Sequence, residues 1–442
     1  MSDAHKPQLM PAAWLPVWLR HALKRITPQS WRDHFRFQAL TEEKKYYEAL
    51  QDAFVTLTTT TAASSPWQNA AAFIADTVDS TLEADLISYL ETFSRAAAGA
   101  TDQHDVTTRE QFAAATNEAA PTLLSVRGWL NINYLCFRNR LVAESYGPRA
   151  RAVARAYHDA SVATPTADAL LTASRAAIDQ GDAPKAKAFT DQYQAHESAT
   201  GAASLTHYLA AVFGHETETH GERDMATDET FRALLQGKSV AIVGPAASDA
   251  KVGPEIDSFD VVIRPNYLGD TNRPDPDIFG SRTDVSYYNS EHCEKVHLSG
   301  QAEHFNDLRY MAFPYNQYSF QKPIFWQGKA RVFSRNPHFF NGVPNMIQCI
   351  VHDILPFDPS RVKIFNTNFY LSKQLYYGSY TSQHKLLLPT LAEHDLVSQL
   401  NYIRNLWRAG VVEADEACEF VLGLPAKEYM ERIDAVHIRP QS

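Results

Sequence analysis

The sequence is poor in cysteine, contains no long apolar run and carries no excess of positive charge. Its 442 residues include only 4 cysteines, none in a C-x-x-C pair, which removes the usual zinc and thioredoxin signatures. No stretch approaches about 18 consecutive apolar residues, the length that crosses a bilayer as a helix. The beginning of the chain lacks the charged start, apolar centre and cleavage site of a signal peptide. We therefore expect reduced thiols and a cytoplasmic protein.

The charge balance is acidic. Asp and Glu number 51 against 41 Lys and Arg, which gives a formal charge of −10. Binding to a nucleic-acid backbone needs a positive protein surface, so this composition argues against a nucleic-acid partner. A hydrophobic fraction of 45% is typical of a globular protein, and the length allows two or three domains.

The two halves of the chain have different residue patterns. Residues 1–225 are rich in alanine and place apolar residues at helical spacing, which predicts an all-helical domain with a hairpin near residues 165–195. From Lys238 onwards, short β-branched runs alternate with helical segments, as in a mainly parallel sheet covered by helices on both faces. We therefore predict a Rossmann-like α/β domain over residues 230–442.

A basic and aromatic segment lies at residues 11–36, with Trp14, Trp18 and Trp31 among arginines and lysines. One interpretation is a helix in the membrane interface, with its rings at headgroup level and its cations on anionic lipid. The protein would then bind peripherally at the inner face of the membrane. The other interpretation is a stripe buried in the helical domain beneath a solvated basic face.

The strongest local signal is SVAIVGPAASDAKVGPEIDSFDVVIRPN, residues 239–266. An apolar strand is followed by small residues, so Gly244, Pro245 and Ala246 occupy the turn between the strand and the next helix. In parallel α/β folds, ligands bind at the carboxyl ends of the strands, where backbone N–H groups favour phosphate. An ordinary tight turn is the alternative. The missing G-x-G-x-x-G pattern argues against a dinucleotide site.

A long residue pattern runs through and beyond this segment. Its positions are Gly253, Ile256, Asp257, Asp260, Val262, Arg264 and Asn266, followed by DIFGSRT from Asp277 to Thr283. In this register the chain resembles the large sialylmotif of the eukaryotic-type sialyltransferases, G-x-x-I-D-x-x-D-x-V-x-R-x-N after an apolar strand and turn. The resemblance extends over residues 238–413, and the helical half has no counterpart in it.

Two further segments extend the resemblance. Residues 340–369 loosely match the small sialylmotif, in which a turn, here Asn341 and Gly342, precedes a helix and a strand. Tyr376 and Tyr377 stand where an aromatic-rich third motif of the family falls. The resemblance implies that Asn341, Gly342 and Tyr377 contribute to the donor site.

The segment HDLVSQLNYIRNL, from His394, resembles the last motif of the family, H-x-x-x-x-E, but Gln399 replaces the glutamate. A second departure concerns a disulfide that joins the two sialylmotifs in luminal members of the family. The matching positions here are Val240 and Pro359, which agrees with a reducing cytoplasm.

The resemblance implies a glycosyltransferase of polysaccharide biosynthesis. Such an enzyme moves a 2-keto-3-deoxy acid sugar of the sialic acid type from a CMP-activated donor to a hydroxyl of a glycan or glycolipid. The donor is a substrate, so no cofactor is expected, and a CMP leaving group needs no metal. One D-x-D look-alike, at residues 275–277, lies in a proline-rich loop, and Asp277 already belongs to the motif.

Two asparagines, Asn266 and Asn289, end neighbouring predicted strands. Each offers an amide donor and an acceptor that suit phosphate, ribose or the edge of cytosine. A strand-end asparagine also commonly caps a turn, so a structural role is the alternative.

His394 is the candidate base for an inverting transfer. It precedes a predicted helix with a single apolar stripe at Leu396, Leu400, Ile403 and Trp407, and the dipole of that helix disfavours an imidazolium there. A neutral imidazole can accept the proton of the attacking hydroxyl. The alternative is a histidine that only caps the helix or contacts the departing phosphate.

A retaining transfer would need a carboxylate nucleophile instead. Bacterial Kdo transferases, which use CMP-Kdo, are structural relatives of the sialyltransferases, and some retain configuration in this way. Asp249 and Asp284 are the leading candidates, and Glu291 and Asp307 are further ones.

Two other function classes stay open. The loss of the motif glutamate at Gln399 favours a non-catalytic protein that binds CMP or a glycan. A Rossmann oxidoreductase or methyltransferase is less favoured, because the glycine fingerprint is absent.

Overall fold

The computed structural model divides the chain into two compact units, Met1–Tyr47 and Glu48–Ser442, and the described residues all belong to the second. They are residues 124–138, 142–196, 202–214, 226–269, 274–289, 307–314, 330–333, 344–378 and 394–438, with single positions or pairs at 49–50, 52–53, 56, 64, 69, 292 and 391. The basic and aromatic segment 11–36 lies outside them. The domain boundary proposed near residue 225 also falls outside them and stays a prediction.

Six α-helices lie between residues 126 and 235, ahead of the sheet, and no strand is found in the described part of that range. They are α1 Val126–Arg138, α2 Tyr146–Ala160, α3 Ala167–Gln180, α4 Ala183–Gln194, α5 Ala202–Phe213 and α6 Ala226–Leu235. Helices α3 and α4 form a hairpin around Gly181, which ends α3 in the left-handed conformation with φ 69°. The hydroxyls of Ser174 and Thr190 hydrogen-bond at 2.5 Å across it.

The sheet has seven strands in the order β5-β4-β3-β2-β1-β6-β7, and every neighbouring pair is parallel. Their bounds are β1 Ser239–Val243, β2 Val261–Pro265, β3 Val285–Tyr287, β4 Tyr310–Pro314, β5 Ala330–Phe333, β6 Arg361–Phe365 and β7 Glu413–Ala414. The predicted Rossmann-like, mainly parallel sheet is confirmed. Strands β1, β2, β3 and β6 were expected from their apolar runs, whereas β4, β5 and β7 were not.

In the described residues from 244 onwards, six further α-helices connect or follow the strands. They are α7 Gly253–Asp257, α8 Pro276–Phe279, α9 Met346–Ile354, α10 Leu396–Arg408, α11 Glu416–Gly423 and α12 Ala426–His437. Successive strands run outward from β1 to β5, and the chain then returns through α9 to place β6 on the other side of β1. The strand order therefore reverses between β1 and β6, and in open α/β sheets the crevice at such a reversal is the usual ligand site.

Helix α10 departs from the prediction of a single apolar stripe. Residues 396–406 are all buried, including polar side chains such as Gln399, Arg404 and Asn405. Tertiary packing is the reason, because α10 contacts α3 and α5 of the helical half as well as α9 beside the sheet.

Among the described residues, no helix combines the length and apolar character needed to cross a membrane.

Candidate functional site

The residues of the long sequence pattern hold the first three strands together. At Gly253, the first residue of α7, a Cβ atom would lie 1.9 Å from the carbonyl oxygen of Pro276 in α8. The two short helices therefore cross in backbone contact, which only glycine permits. The pattern requires glycine here because of packing and not because of a ligand.

The two aspartates of the pattern accept hydrogen bonds from neighbouring segments. The Asp257 carboxylate accepts the Ser281 N–H at 2.8 Å and the Arg282 N–H at 3.1 Å. Burial raises the pKa of Asp257, but these hydrogen bonds outweigh it, and the pKa is lowered overall. Asp260 accepts the N–H and hydroxyl of Ser239 at 2.9 and 2.8 Å, which lowers its pKa. Both carboxylates are therefore structural acceptors.

Arg264 also has a structural role. Its Nε donates to the Arg282 carbonyl and to the Thr283 hydroxyl, both at 3.0 Å, and its Nη2 donates to the carbonyls of Phe279 and Gly280. Burial lowers the pKa of this guanidinium to about 10, so it stays charged at neutral pH. The motif thus specifies how α8 and the segment after it attach to β2.

The structure corrects the placement of Asp284. This residue comes directly before β3, at the amino ends of the strands, and its Oδ2 accepts the Val262 N–H at 2.8 Å and Arg282 Nη2 at 2.9 Å. Asp307 likewise precedes β4. Neither is brought to the carboxyl edge, because each begins a strand and does not end one. Glu291, Asn341 and Gly342 lie outside the described residues.

The turn after β1 packs tightly on the end of β6. The Gly244 N–H donates to the Phe365 carbonyl at 2.8 Å, and the Ala246 N–H donates to the Asn366 carbonyl at 3.0 Å. A Cβ at position 244 would lie 2.6 Å from the Asn366 oxygen, so glycine is required for this contact. Gly244, Pro245 and Ala246 thus lie at the predicted edge, but they offer no spare backbone donor, since proline has none.

Asn266 and Asn289 lie together at the ends of β2 and β3. Asn266 is in the left-handed conformation with φ 55°, and its Oδ1 accepts the Asn289 N–H at 3.0 Å. Asn289 Oδ1 in turn accepts the His292 N–H at 2.9 Å. Both oxygens therefore cap turns, as the alternative interpretation holds. Within the described part of the chain, Asn289 Nδ2 donates no hydrogen bond.

An open cleft of about 390 Å³ lies beside this edge. Its lining comes from the turn after β1, from the segment that leads into α8 and from the loop after β6: Ala247, Ser248, Asp249, Pro274, Asp275, Ile278, Phe279, Ser372, Gln374, Tyr377 and Gly378. The structure therefore brings the predicted residues Asp249 and Tyr377 together. Cavities of roughly this size hold small ligands.

Tyr377 joins the cleft to the turn after β1. Its backbone N–H donates to the Pro245 carbonyl at 3.1 Å, and its ring lies 4.9 Å from that of Phe279. Burial raises the pKa of Tyr377 to about 12, so the side chain is a neutral phenol at physiological pH. It can donate a hydrogen bond or form an aromatic wall, but it is not an anionic base.

The connectivity of α10 indicates where His394 lies relative to the sheet. Helix α10 connects β6 to the parallel strand β7, so its amino end must lie at the carboxyl ends of the strands. His394 precedes Asp395, the N-cap of this helix, and is half-buried. We infer from this connectivity that His394 lies toward the edge that also carries the ends of β1, β2, β3 and β6.

Gln399, at the position of the family glutamate, has a defined structural partner. Its Oε1 accepts the backbone N–H of Asn345 at 2.9 Å, and Asn345 Oδ1 accepts the Tyr370 hydroxyl at 2.9 Å. These bonds connect the amino ends of α9 and α10 to the loop after β6. A glutamate could accept the same N–H, so glutamine preserves this contact.

Asn366, just after β6, was not predicted from the sequence as a residue of this edge. It is left-handed with φ 48° like Asn266, its N–H donates to Asp415 Oδ2 at 2.6 Å, and its Nδ2 donates to the Ile278 carbonyl at 3.2 Å. Burial raises the pKa of Asp415. The available signal was the one that identified Asn266, an asparagine directly after an apolar strand.

In the part of the chain that the structure describes, no three His, Cys, Asp or Glu side chains converge as a metal site.

Comparison with solved structures finds distant likenesses. Two crystal structures of a mammalian sialyltransferase, one in complex with Gal-beta-1-3GalNAc-ortho-nitrophenol, align at 14% identity over 48% of this chain and 84% of theirs. Their TM-scores are 0.26 for the complex and 0.27 for the other structure. No protein-family model and no curated protein matches the chain.

Proposed function

We propose that the protein is a glycosyltransferase that moves a 2-keto-3-deoxy acid sugar of the sialic acid type from a CMP-activated donor to a hydroxyl of a glycan or glycolipid. One observation carries the proposal. The segment that resembles the large sialylmotif forms β1 to β3, and its predicted donor positions 244–246, 266 and 289 follow the carboxyl ends of these strands; the turn after β1 lies at the strand reversal and continues into the cleft wall. In such folds this edge holds nucleotides.

The donor contacts follow from the hydrogen bonds that the protein does not make itself. The N–H groups of Gly244 and Ala246 are occupied, whereas those of Ala247 and Ser248, which line the cleft, have no partner within the described residues. Together with Asn289 Nδ2 they are the donors that suit the CMP phosphate. No resident cofactor or metal is part of this proposal.

His394 is proposed as the base of an inverting transfer. The acceptor hydroxyl attacks the anomeric carbon, its proton passes to the imidazole, and the bond between that carbon and the phosphate oxygen breaks, with its electron pair leaving on CMP. The alternative is a CMP-Kdo-dependent, retaining transfer in which the carboxylate of Asp249, on the cleft wall, attacks the anomeric carbon and displaces CMP to form a glycosyl ester. The acceptor hydroxyl then attacks the same carbon, the carboxylate leaves, and the hydroxyl proton passes to a base or to water.

A donor screen tests the function. Purified protein with CMP-sialic acid or CMP-Kdo is followed by the release of CMP and by the intact mass of the protein. We expect release from one donor that rises with an added glycan acceptor. A sugar adduct on the protein would support retention, and an Asp249→Asn variant without that adduct would locate it. Absence of CMP release from both donors contradicts the proposal.

Asn289→Asp should weaken CMP binding about ten- to a hundredfold, the range expected when a hydrogen-bond donor is lost near a phosphate. The aspartate keeps the oxygen that accepts the His292 N–H, so the melting temperature should stay close to that of the wild type. The measurement is a calorimetric titration with CMP. Gln192→Glu, on the exposed face of α4, is the control for an added carboxylate. Equal CMP affinity in the wild type and Asn289→Asp would remove Asn289 from the site.

The second candidate is a non-catalytic CMP- or glycan-binding protein, favoured by the glutamine at position 399. Its expected signature is CMP binding without CMP release from any donor. Gln399→Glu separates the two functions, because it restores the family residue while keeping an oxygen for the Asn345 N–H. Turnover that appears only in this variant would favour the binding protein.

A further inference from the structure

Arg149 of α2 connects the helical half to the amino end of α10. It is buried, and its Nη1 donates to Asp179 Oδ2 at 2.7 Å. Its Nη2 and Nε donate to the two carboxylate oxygens of Asp395 at 3.0 and 3.3 Å, and Nη2 also reaches the Ser398 hydroxyl at 2.8 Å. The guanidinium therefore hydrogen-bonds to the first turn of α10, although Arg149 and Asp395 are 246 residues apart in the sequence.

Asp395 is both the partner of Arg149 and the N-cap of α10. Its Oδ1 accepts the Ser398 N–H at 3.1 Å, and its side chain is 1% exposed. Because this carboxylate caps α10, its bonds help to fix the backbone of Asp395, and His394 is joined to that backbone by a peptide bond. The imidazole that the proposed function uses as a base thus has its backbone fixed through Asp395.

The charges of this cluster hold Arg149 in one ionised state. Burial acts to lower the pKa of Arg149, but the carboxylates of Asp179 and Asp395 raise it overall. Asp179 also accepts from Asn401 Nδ2 at 3.1 Å, and Asn401 Oδ1 accepts from Arg404 at 2.5 Å. The positive charges of two arginines therefore balance the negative charges of two aspartates. The cluster extends from α2 and α3 into α10.

We propose that Arg149 is a positioning residue that sets the place of His394 at the carboxyl edge, so that the helical half completes the catalytic site. The inference rests on the proposed function. The planar guanidinium contacts both oxygens of Asp395 in a fixed geometry, whereas a lysine ammonium is a single point of charge on a flexible chain. Arg149→Lys therefore keeps the charge and loosens the orientation.

The body of α10 has supports that do not involve Arg149. Arg404 Nε donates to the Leu422 carbonyl at 2.8 Å, the Tyr208 hydroxyl donates to the Tyr402 carbonyl at 2.9 Å, and Asn405 Nδ2 donates to the Ile178 carbonyl at 2.7 Å. These contacts lie in the second half of the helix. A lysine at position 149 should therefore leave α10 folded and disturb mainly its first turn.

Arg149→Lys tests the proposal in the full-length chain. We expect a roughly tenfold lower kcat in the donor assay, with the CMP affinity and donor KM unchanged. Arg155→Lys is the matched control, because Arg155 lies on the same helix and pairs at 2.8 Å with Asp159 of that helix. It should retain the wild-type kcat.

The loss of kcat caused by Arg149→Lys should disappear when His394 is absent. In a His394→Ala background, Arg149→Lys should cause no further loss of the residual rate, because the residue that it positions is gone. A purely structural role would lower the residual rate by the same factor again, and that result would overturn the proposal. An unchanged kcat in Arg149→Lys would overturn it as well.

If Arg149→Lys does not fold, Asp395→Asn decides the question by the same two criteria. Asparagine caps a helix as well as aspartate does but gives up the ion pair with Arg149. A wild-type protein that releases no CMP overturns the proposed function and this inference together. An active wild type with insensitive Arg149→Lys or Asp395→Asn variants overturns this inference alone.

Discussion

His394→Ala should lower the turnover of the CMP-activated donor by roughly two to four decades, the usual contribution of a general base. The affinity for CMP should change little, because the imidazole acts on the acceptor hydroxyl and not on the nucleotide. In kinetic terms, kcat falls while the donor KM stays near its wild-type value. The measurement is CMP release at saturating donor and acceptor, with CMP affinity titrated separately.

The control for this experiment is His158→Ala, which removes an exposed histidine of α2. That variant should keep the wild-type kcat. An unchanged turnover number in His394→Ala would remove His394 from the mechanism. Loss of CMP binding would instead make His394 a phosphate ligand, and the search for the reacting group would move to Asp249 in the cleft.

Gly253→Ala should destabilise the fold, because the new methyl group would meet the carbonyl oxygen of Pro276 at 1.9 Å. Backbone cannot rotate away as a side chain can, so α7 and α8 would have to separate. We expect the free energy of unfolding to fall by about 3 kcal/mol, the upper part of the range for overpacking. Urea denaturation, read as the midpoint at constant slope, measures this change.

Gly423→Ala is the matched control. Gly423 ends α11, is exposed and has no atom within 4 Å of the position of a Cβ. The alanine should leave the midpoint unchanged or raise it slightly, because alanine favours a helix more than glycine does. Equal midpoints for the two alanine variants would contradict the backbone contact between α7 and α8.

The strands predicted from the sequence are β1, β2, β3 and β6, and each contains at least one β-branched residue. Strands β1, β2 and β3 lie in the interior of the sheet, and β6 lies next to the edge strand β7. By contrast, β4 contains no β-branched residue, and β7 has two residues. Short or interrupted strands form here because a neighbouring strand already offers its hydrogen bonds.

The motif residues show a different limit of sequence reading. Asp257, Asp260 and Arg264 have the residue types of a ligand site, and the pattern that contains them is specific. In the fold their polar atoms bond to Ser239 and to the segment 279–283. A specific motif can therefore encode an attachment between segments, because buried polar groups need fixed partners as strictly as ligands do.

The sequence by itself determined the alternation of strands and helices, the parallel sheet that this implies, and the edge at which residues 244–246, 266 and 289 lie. These features follow from local periodicity and from the direction of parallel strands. Only the tertiary structure decided that Asp284 lies at the opposite edge, that Gln399 supports Asn345, and that Arg149 holds Asp395. Such contacts join residues far apart in the chain, and because they have no period, no local pattern records them.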